Sequence, residues 1–462
     1  MKRMMLFFFF IVLLLFYCAA KAKDISVGKD GFSTITEAVE KAQPGDTLRV
    51  SPGLYTENTE SFPIVIDKPL KIIGETGTVL ESPPFIPLLK VEVEGVSVEN
   101  IDFRLLRWGI VGLADRLSIK NCKFTLFDDT YRVSSCGIWL AGMKNATLQD
   151  NRFYGCGVCI AGVPINENSD SKPVLTGLFE VGDDTEYFSS HMFINNFVND
   201  KPLYYFNNAK NLTVPEDAGQ VIVVCSENVS INNIDASDCS MGLIVAHCKN
   251  VNVAHTNTDR CGLFGIYLAY VDHGKIGNST VRESNHAMDF RASKHLLIEN
   301  CSVESSDQGI FFSFVDNSRV LYCDVTSTGQ GYFFAAGNLN SVVQCKVVNC
   351  ENGMNLQKEN DISIINNYFE GNSVCALRVD RSPSAIVNNY FYQNWVDVMA
   401  YSDVSIILTN NIFCESKSCG LYLRDISYSV IECNTFENCL DSSIQIQGKI
   451  SDTSLENNTV GK

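Results

Sequence analysis

From Val229 onward the apolar positions recur in lines of 21 to 25 residues. Successive lines open with VSINNIDASDC (229), VNVAHTNTDRC (251), GKIGNSTVRES (274), LLIENCSVESS (296), SRVLYCDVTST (318), SVVQCKVVNCE (341) and ISIINNYFEGN (362), and weaker copies run to the end. Each line holds an alternating segment, a polar turn and a second segment led by a small residue, as in GLIVA (242–246), GIYLA (265–269) and GIFFS (309–313). Alternation with β-branched apolar residues indicates strands, and a helical 3.6-residue period is absent from these lines. A period near 22 with two or three short strands per line predicts an all-β fold, a single-stranded parallel β-helix in which each line is one coil, or rung. One rung cannot bury its apolar side chains alone, but stacked rungs about 4.8 Å apart turn like positions into continuous columns.

The columns assign residues. Cys301, Cys323 and Cys345 fall 22 apart and Cys239 and Cys261 repeat the step, which reads as interior packing ladders, with disulfides as the alternative. Asn278, Asn300, Asn366 and Asn388 form an Asn column whose amides are expected to bond from rung to rung. His273 and His295 take an end-of-rung position that is Asn in neighbouring lines (Asn250, Asn317, Asn340). That position suits a left-handed turn, which His tolerates; a stacked His pair that binds metal is the alternative. Upstream, residues 23–95 read as a cap and first strands. Thr34 and Glu37 are spaced as a capping box on a short amphipathic helix that Pro44-Gly45 ends. Rungs are expected over 96–462, with GIVGL (109), GIWLA (137) and GVCIA (157) as the Gly-led strands. Residues 164–218 break the period and read as an excursion.

In the Gly-led strands two apolar positions must fill the core, so alternation turns the two intervening positions outward. The first outward column reads Trp139, Ile244, Tyr267, Asp289, Phe311, Phe333, Asn355, Arg378, Met399, Tyr422 and Gln445. The second reads Ala141, Ala246, Ala269, Arg291, Ser313, Ala335, Gln357, Asp380, Tyr401, Arg424 and Gln447. Rings at regular steps can stack on sugar rings while amides, carboxylates and Arg bond the hydroxyls, which makes Tyr267, Phe311, Phe333, Asn355, Arg378, Asp380 and Tyr422 candidate substrate-binding residues. Two other accounts stand beside this one: rings that stack only on each other, and a strip covered by the 164–218 excursion. Asp289 and Arg291 lie on one strand between Tyr267 and Phe311, with His286 just before, so a base, a cation and a ring platform could meet there as catalytic candidates. The column Asp259, Arg282, Glu304 alternates in sign and reads as an exposed ion-pair ladder.

Composition places the chain outside the cell. Lys2 and Arg3 precede the apolar run MMLFFFFIVLLLFY, and Ala20-Lys21-Ala22 offers a small-x-small cleavage pattern, so residues 1–22 read as a signal peptide. No integral membrane segment is expected after its removal, and secreted, periplasmic or cell-surface placement follows. Loss of its three cations takes the formal charge from −17 to −20. That charge argues against nucleic acid or an anionic membrane as partner, and disfavours polyanionic sugars unless a basic patch or bridging Ca²⁺ intervenes. Sequons at Asn145, Asn211, Asn228, Asn278, Asn300 and Asn457 are candidate glycan sites in a chain rich in Asn.

The cap followed by PLKIIGETGTVLES (69–82) resembles the start of pectin-lyase-type right-handed β-helices. The stretch 195–253, above all DKPLYYF and VPEDAGQVIVV, is similar to the NosD-type periplasmic and cell-surface β-helix family. The resemblance extends over most of residues 30–460. It implies a right-handed solenoid whose repeat is associated with carbohydrate binding and sugar hydrolysis, and for the name-giving members an accessory role in copper-site assembly. Copper would want clustered His, Met or thiolate ligands; Cys156 and Cys159 are the one close pair and need not converge, so copper is not expected. The motifs of polygalacturonases, mannuronan epimerases and pectin methylesterases are not found, and Asp128-Asp129 lacks their partners. The expectation is therefore an exported β-helix that binds a polysaccharide or glycan, with lyase or hydrolase chemistry as its extension. A structural or adhesive surface protein with cell-surface partners, and a NosD-type copper accessory protein, are the alternatives.

Overall fold

The computed structural model describes residues 22–161 and 184–461. The expected signal peptide, apart from Ala22, and the first part of the expected excursion lie outside the described residues.

The chain coils as a parallel β-helix in two stacks. In the first, three sheets are built in turn by strands such as Ser97–Glu99, Asp102–Leu105 and Trp108–Gly112, and every strand pairs in parallel with its equivalent one rung later. This stack begins earlier than the sequence suggests. Thr47–Val50 already pairs with Asp24–Val27 on one side and Lys71–Gly74 on the other, so residues 23–95 hold complete rungs as well as the cap. The cap helix spans Ile35–Lys41, and Thr34 Oγ1 accepts from the Glu37 N–H as its N-cap. A column of stacked phenyl rings, Phe103, Phe124 and Phe153, fills the interior.

At Asn199-Asp200 the chain turns back on itself. Phe197–Val198 is the last parallel strand of its sheet, and Lys201–Asn207 pairs with it antiparallel, Val198 opposite Lys201. Both turn residues have positive φ (50° and 62°), the geometry of a two-residue hairpin whose twist matches its strands. Stacking then resumes in parallel, from Lys201–Asn207 to Gln220–Val224, Met241–Ala246, Phe264–Ala269, His286–Arg291 and onward to Ser442–Ser451. One continuous sheet therefore carries strands of opposite direction in its two halves. A coil that keeps its hand while its strands reverse must place its core on the opposite face of that sheet. Two separate cores result: Tyr204, Phe206, Val221 and Val223 join the second, while Leu203, Tyr205, Ile222 and Val224 face the first.

Each rung of the second stack turns at left-handed residues. Tyr270, His273, Asn278 and Glu283 have φ between 48° and 63°, and Ala292, His295, Asn300 and Ser305 repeat the set one rung later. The expected turn role of His273 and His295 is thus observed, with Asn250 and Asn317 in the same slot; Leu339, not Asn340, is the next equivalent. The six sequon asparagines all have positive φ, so turn geometry accounts for Asn at those sites.

Just past one of these turns runs a column of side-chain acceptors. The backbone N–H of Thr256 donates to Ser279 Oγ, that of Cys323 to Cys345 Sγ, and that of Cys345 to Asn367 Oδ1. The column continues through Asn389, Asn411, Asn434 and Asn458, each accepting from the backbone and the side-chain amide one rung before. The expected Asn ladder is therefore displaced by one residue: Asn278, Asn300, Asn366 and Asn388 serve the turn, and the amide ladder continues the cysteine column. Cys301, Cys323 and Cys345 are buried packing residues whose sulfurs approach carbonyls of the preceding rung, at 3.7–3.8 Å.

Asn389 also donates to Ile364 O at 2.8 Å. Replacing Asn389 by Ala leaves buried donors and carbonyls unpaired on both sides, at about 1–3 kcal/mol for each unsatisfied group. Chemical denaturation of Asn389→Ala is expected to show a loss of at least about 2 kcal/mol, against less than about 0.5 kcal/mol for exposed Gln357→Ala.

Candidate functional site

The strand register sets out the outward face of the continuous sheet. From Tyr205 the column runs Ile222, Ile244, Tyr267, Asp289, Phe311, Phe333, Asn355, Arg378, Met399, Tyr422, Gln445, each residue the direct partner of the next. The companion column passes through Arg291, Ser313, Ala335, Gln357, Asp380, Tyr401 and Arg424. Both columns are as the sequence predicts from Ile244 onward. Trp139 and Ala141 are the exception: they belong to a different sheet of the first stack.

The upper part of this face belongs to the first core and is not a surface. Tyr267 is only 3% exposed, and Ile222 and Ile244 are fully buried. The first stack leans over them. The Tyr205 hydroxyl donates to Phe188 O at 2.6 Å, and Phe193 stacks on Tyr205. The Ser134 N–H donates to Gly262 O, the Gly157 N–H to Ser240 Oγ, and the Gln220 amide makes a reciprocal pair with Val158. Residues from the expected excursion therefore contribute to the cover, alongside 132–134 and 157–158. Within that excursion, Met192–Ile194, Phe197–Val198, Lys201–Asn207 and Lys210–Thr213 are ordinary strands of the stack. As a sugar platform Tyr267 is thus excluded.

The proposed catalytic group lies where cover gives way to the open face, and its geometry argues against acid–base work. Asp289 is fully buried; Arg291 Nε and Nη2 donate to its two oxygens at 2.6 and 2.9 Å, and His286 Nδ1 lies 3.0 Å from Oδ2. Burial works to raise the Asp289 pKa, but Arg291 and His286 outweigh it and hold the carboxyl below its usual range. Arg291 is raised in turn: burial opposes its charge and Asp289 more than restores it. The guanidinium also covers the Phe311 ring at 5.2 Å. A carboxylate with both oxygens engaged and a lowered pKa is a poor general base. The Asp289–Arg291 ion pair, with His286 bonded to it, is a plug that seals the end of the first core.

Beyond the plug the face opens. Phe311 and Phe333 stack at 4.7 Å, nearly parallel and half-buried. Asn355 is 7% exposed, and its Oδ1, like Arg378 Nε and Asn352 Oδ1, is buried without a hydrogen-bond partner among the described residues. Asp380 is paired with Arg381, whose hydrogen bonds lower its pKa first, so its carboxylate is partly committed. Tyr422 donates to Gln447 and packs with Met399 on a small patch of Cys375, Val396 and Cys419.

Two further groups bear on chemistry. Asp397 takes the inward, usually Gly, position of its strand; burial raises its pKa to about 7, against hydrogen bonds from Ser416 and Asn394 that lower it. The motif column gave no sign of this acid because Asp there replaces a residue with no side chain. On the surface, Asp272, His273 and His295 bring one carboxylate oxygen and two ring nitrogens within 4.8 Å of one another. Asp259, Arg282 and Glu304 form the expected ladder, with Arg282 3.6 and 3.4 Å from the two acids.

Comparison with known proteins matches residues 194–377 to the family described as periplasmic copper-binding protein (NosD), and residues 376–462 to the right-handed beta helix region. No curated protein matches. Among solved structures, the chain is similar to the mannuronan C-5 epimerase A-module of Azotobacter vinelandii, at 10% identity over 92% of this chain and 93% of that one, with TM-score 0.37. It is similar also to a hyperthermoactive exopolygalacturonase from Thermotoga maritima, at 11% identity over 93% and 88%, with TM-score 0.29. These likenesses concern the fold, and no site residue is carried over from them. The family description implies copper. Cys156 and Cys159 do not fit: burial raises both thiols, and the Cys156 sulfur lies 3.7 Å from Phe124 O. The donor set of Asp272, His273 and His295 does fit a transition ion. Among the described residues no helix is long and apolar enough to cross a membrane.

Two outcomes follow. Asp289→Asn or Arg291→Met alone breaks the buried pair and is expected to cost about 3–5 kcal/mol, whereas the double variant Asp289→Asn/Arg291→Met costs clearly less than the sum; a double-mutant cycle by urea denaturation measures this. For Asp397 the folded pKa, about 7, lies above the ordinary carboxyl value of 3.8. The folded state thus holds the proton more tightly, and this stabilisation, full below about pH 4, is lost as pH rises towards 7. Denaturation midpoints compared at pH 4.5 and 8 should show Asp397→Asn gaining on wild type at the higher pH.

Proposed function

Because the chain belongs to the NosD-type right-handed β-helix family, we propose that it is an exported protein that binds a carbohydrate along the open part of its continuous sheet, from Phe311 to Tyr422. One observation carries the reading. The buried, unpartnered Asn355 Oδ1 and Arg378 Nε stand directly beyond the stacked Phe311 and Phe333 on an outward strand face. An unmet buried polar atom costs about 1–3 kcal/mol, and a native fold keeps one where something outside the chain completes it. A sugar supplies both halves of what is missing: ring faces for the phenyl pair, and hydroxyls that donate to the amide oxygen and accept from the guanidinium. Gln357 and Arg424 extend the polar edge in the open. Binding rather than bond cleavage is the function supported, since Asp289 and Asp380 are both committed to arginines.

Expected on a glycan array is retention of a defined glycan class, with Phe333→Ala and Arg378→Gln each weakening the best interaction by at least tenfold. Phe314→Ala, which removes an exposed ring in a turn off this face, should leave it unchanged. Absence of retention at high micromolar protein, or equal retention by all three variants, would sink the reading.

A further inference from the structure

We propose that Asp272, His273 and His295 form a binding site for one divalent transition-metal ion of the class that favours imidazole, such as Zn²⁺, Cu²⁺ or Ni²⁺. The site lies at a turn between sheets and is independent of the carbohydrate face.

The argument starts from the backbone. His273 and His295 stand one rung apart, and both are left-handed, with φ of 63° and 56°. The turn itself does not demand His: Asn250 and Asn317 fill the same slot in the flanking rungs, at 52° and 50°. Two histidines in succession are therefore more than the turn requires. Their rings stack at 4.5 Å, and both Nδ1 atoms lie beside one oxygen, Asp272 Oδ1, 2.7 Å from His273 and 2.8 Å from His295, the second contact a hydrogen bond. Without an ion, those contacts need a proton on each Nδ1. Shifting the proton to Nε2 turns both nitrogens into lone-pair donors directed at the space they share with the carboxylate, with no net change in protonation.

The dimensions suit an ion. Bonds of about 2.0–2.1 Å to nitrogen and 2.0–2.2 Å to a carboxylate set neighbouring donors about 3 Å or more apart, so each Nδ1 must draw slightly back from Asp272 Oδ1, within a group whose donors already lie within 4.8 Å of one another. Both histidines are exposed, at 62% and 42% of the side chain, so ordinary torsions supply this movement. Three protein ligands leave the remaining positions to water, and an adjoining depression of about 380 Å³, lined in part by Asp272, Lys294 and Asp316, gives it room. Two imidazoles and one carboxylate favour the transition series over Ca²⁺ or Mg²⁺, which take oxygen ligands in larger number. Lys294 works against the ion: its Nζ lies 3.6 Å from Asp272 Oδ2.

The test uses the untagged full chain, stripped with chelator and titrated with Zn²⁺, Cu²⁺ and Ni²⁺ by calorimetry. One ion per chain is expected for at least one of these metals. His273→Asn and His295→Asn keep the residue that neighbouring rungs place in this turn, so they preserve the fold, and each should weaken binding at least tenfold. Lys294→Gln should tighten it, an effect that a merely structural His pair would not give. With Cu²⁺, electron paramagnetic resonance should show coupling to two imidazole nitrogens in wild type and one in either single variant. Binding unchanged in the double variant His273→Asn/His295→Asn, or a copper signal with no nitrogen lost on substitution, would overturn the proposal.

Discussion

The reversal at Asn199-Asp200 is the constraint on which the rest of the molecule depends. Hydrogen bonding across the hairpin keeps one sheet unbroken, while the change in strand direction moves the interior from one face to the other. The first stack therefore cannot end in open solvent: its core would continue onto the outside of the second stack. The chain resolves this by letting Tyr205, Ile222, Ile244 and Tyr267 belong to the first core and by closing that core with the Asp289–Arg291–His286 plug. Asp289, Arg291 and His286 look like chemistry in isolation. Their place at the limit of a hydrophobic compartment gives them a different meaning, because a paired and hydrogen-bonded charge is the form in which such a boundary tolerates ionised groups.

Regularity elsewhere comes from two linked devices. Left-handed turn residues set the corners, at a conformational cost that non-glycine residues such as Phe314, Tyr322 and Leu339 also carry. Next to one corner, side-chain acceptors take the N–H of the rung before, so the backbone polar group freed by the turn is met in the interior. Ser, Cys and Asn occupy that column interchangeably because each offers a small acceptor at the same reach.

Much of the fold was legible in the sequence, for a physical reason: a repeat of 22 forces like residues into columns, so register from Ile244 to Gln447 followed from alternation alone. The reading failed where the period failed. The two-residue turn at Asn199-Asp200 was hidden inside an aperiodic stretch, and with it the swap of faces, so Tyr267 and Asp289 seemed exposed when they are covered. Nor does alternation hold through a turn, which is why Asn366 and Asn388 were given the ladder that Asn367 and Asn389 make. In the open strip, Phe311, Phe333, Asn355 and Arg378 were visible as outward residues; that two of them keep unmet polar atoms depends on packing no pattern encodes. The His273–His295 pair was recognised as a turn, and its convergence on Asp272 needed coordinates.

The uniform rungs below the plug have a consequence for how such a molecule changes over generations. The hairpin, the doubled core and its stopper all lie at or before Arg291, and the later departures, Asp397 in the usual Gly position and register shifts after Tyr401 and Arg424, are local. Further down, each 22-residue coil meets only copies of itself. Duplication or loss of a whole coil there would lengthen or shorten the exposed strip like links in a chain while leaving the junction untouched, so the reach of this surface is free to drift where its anchor is not.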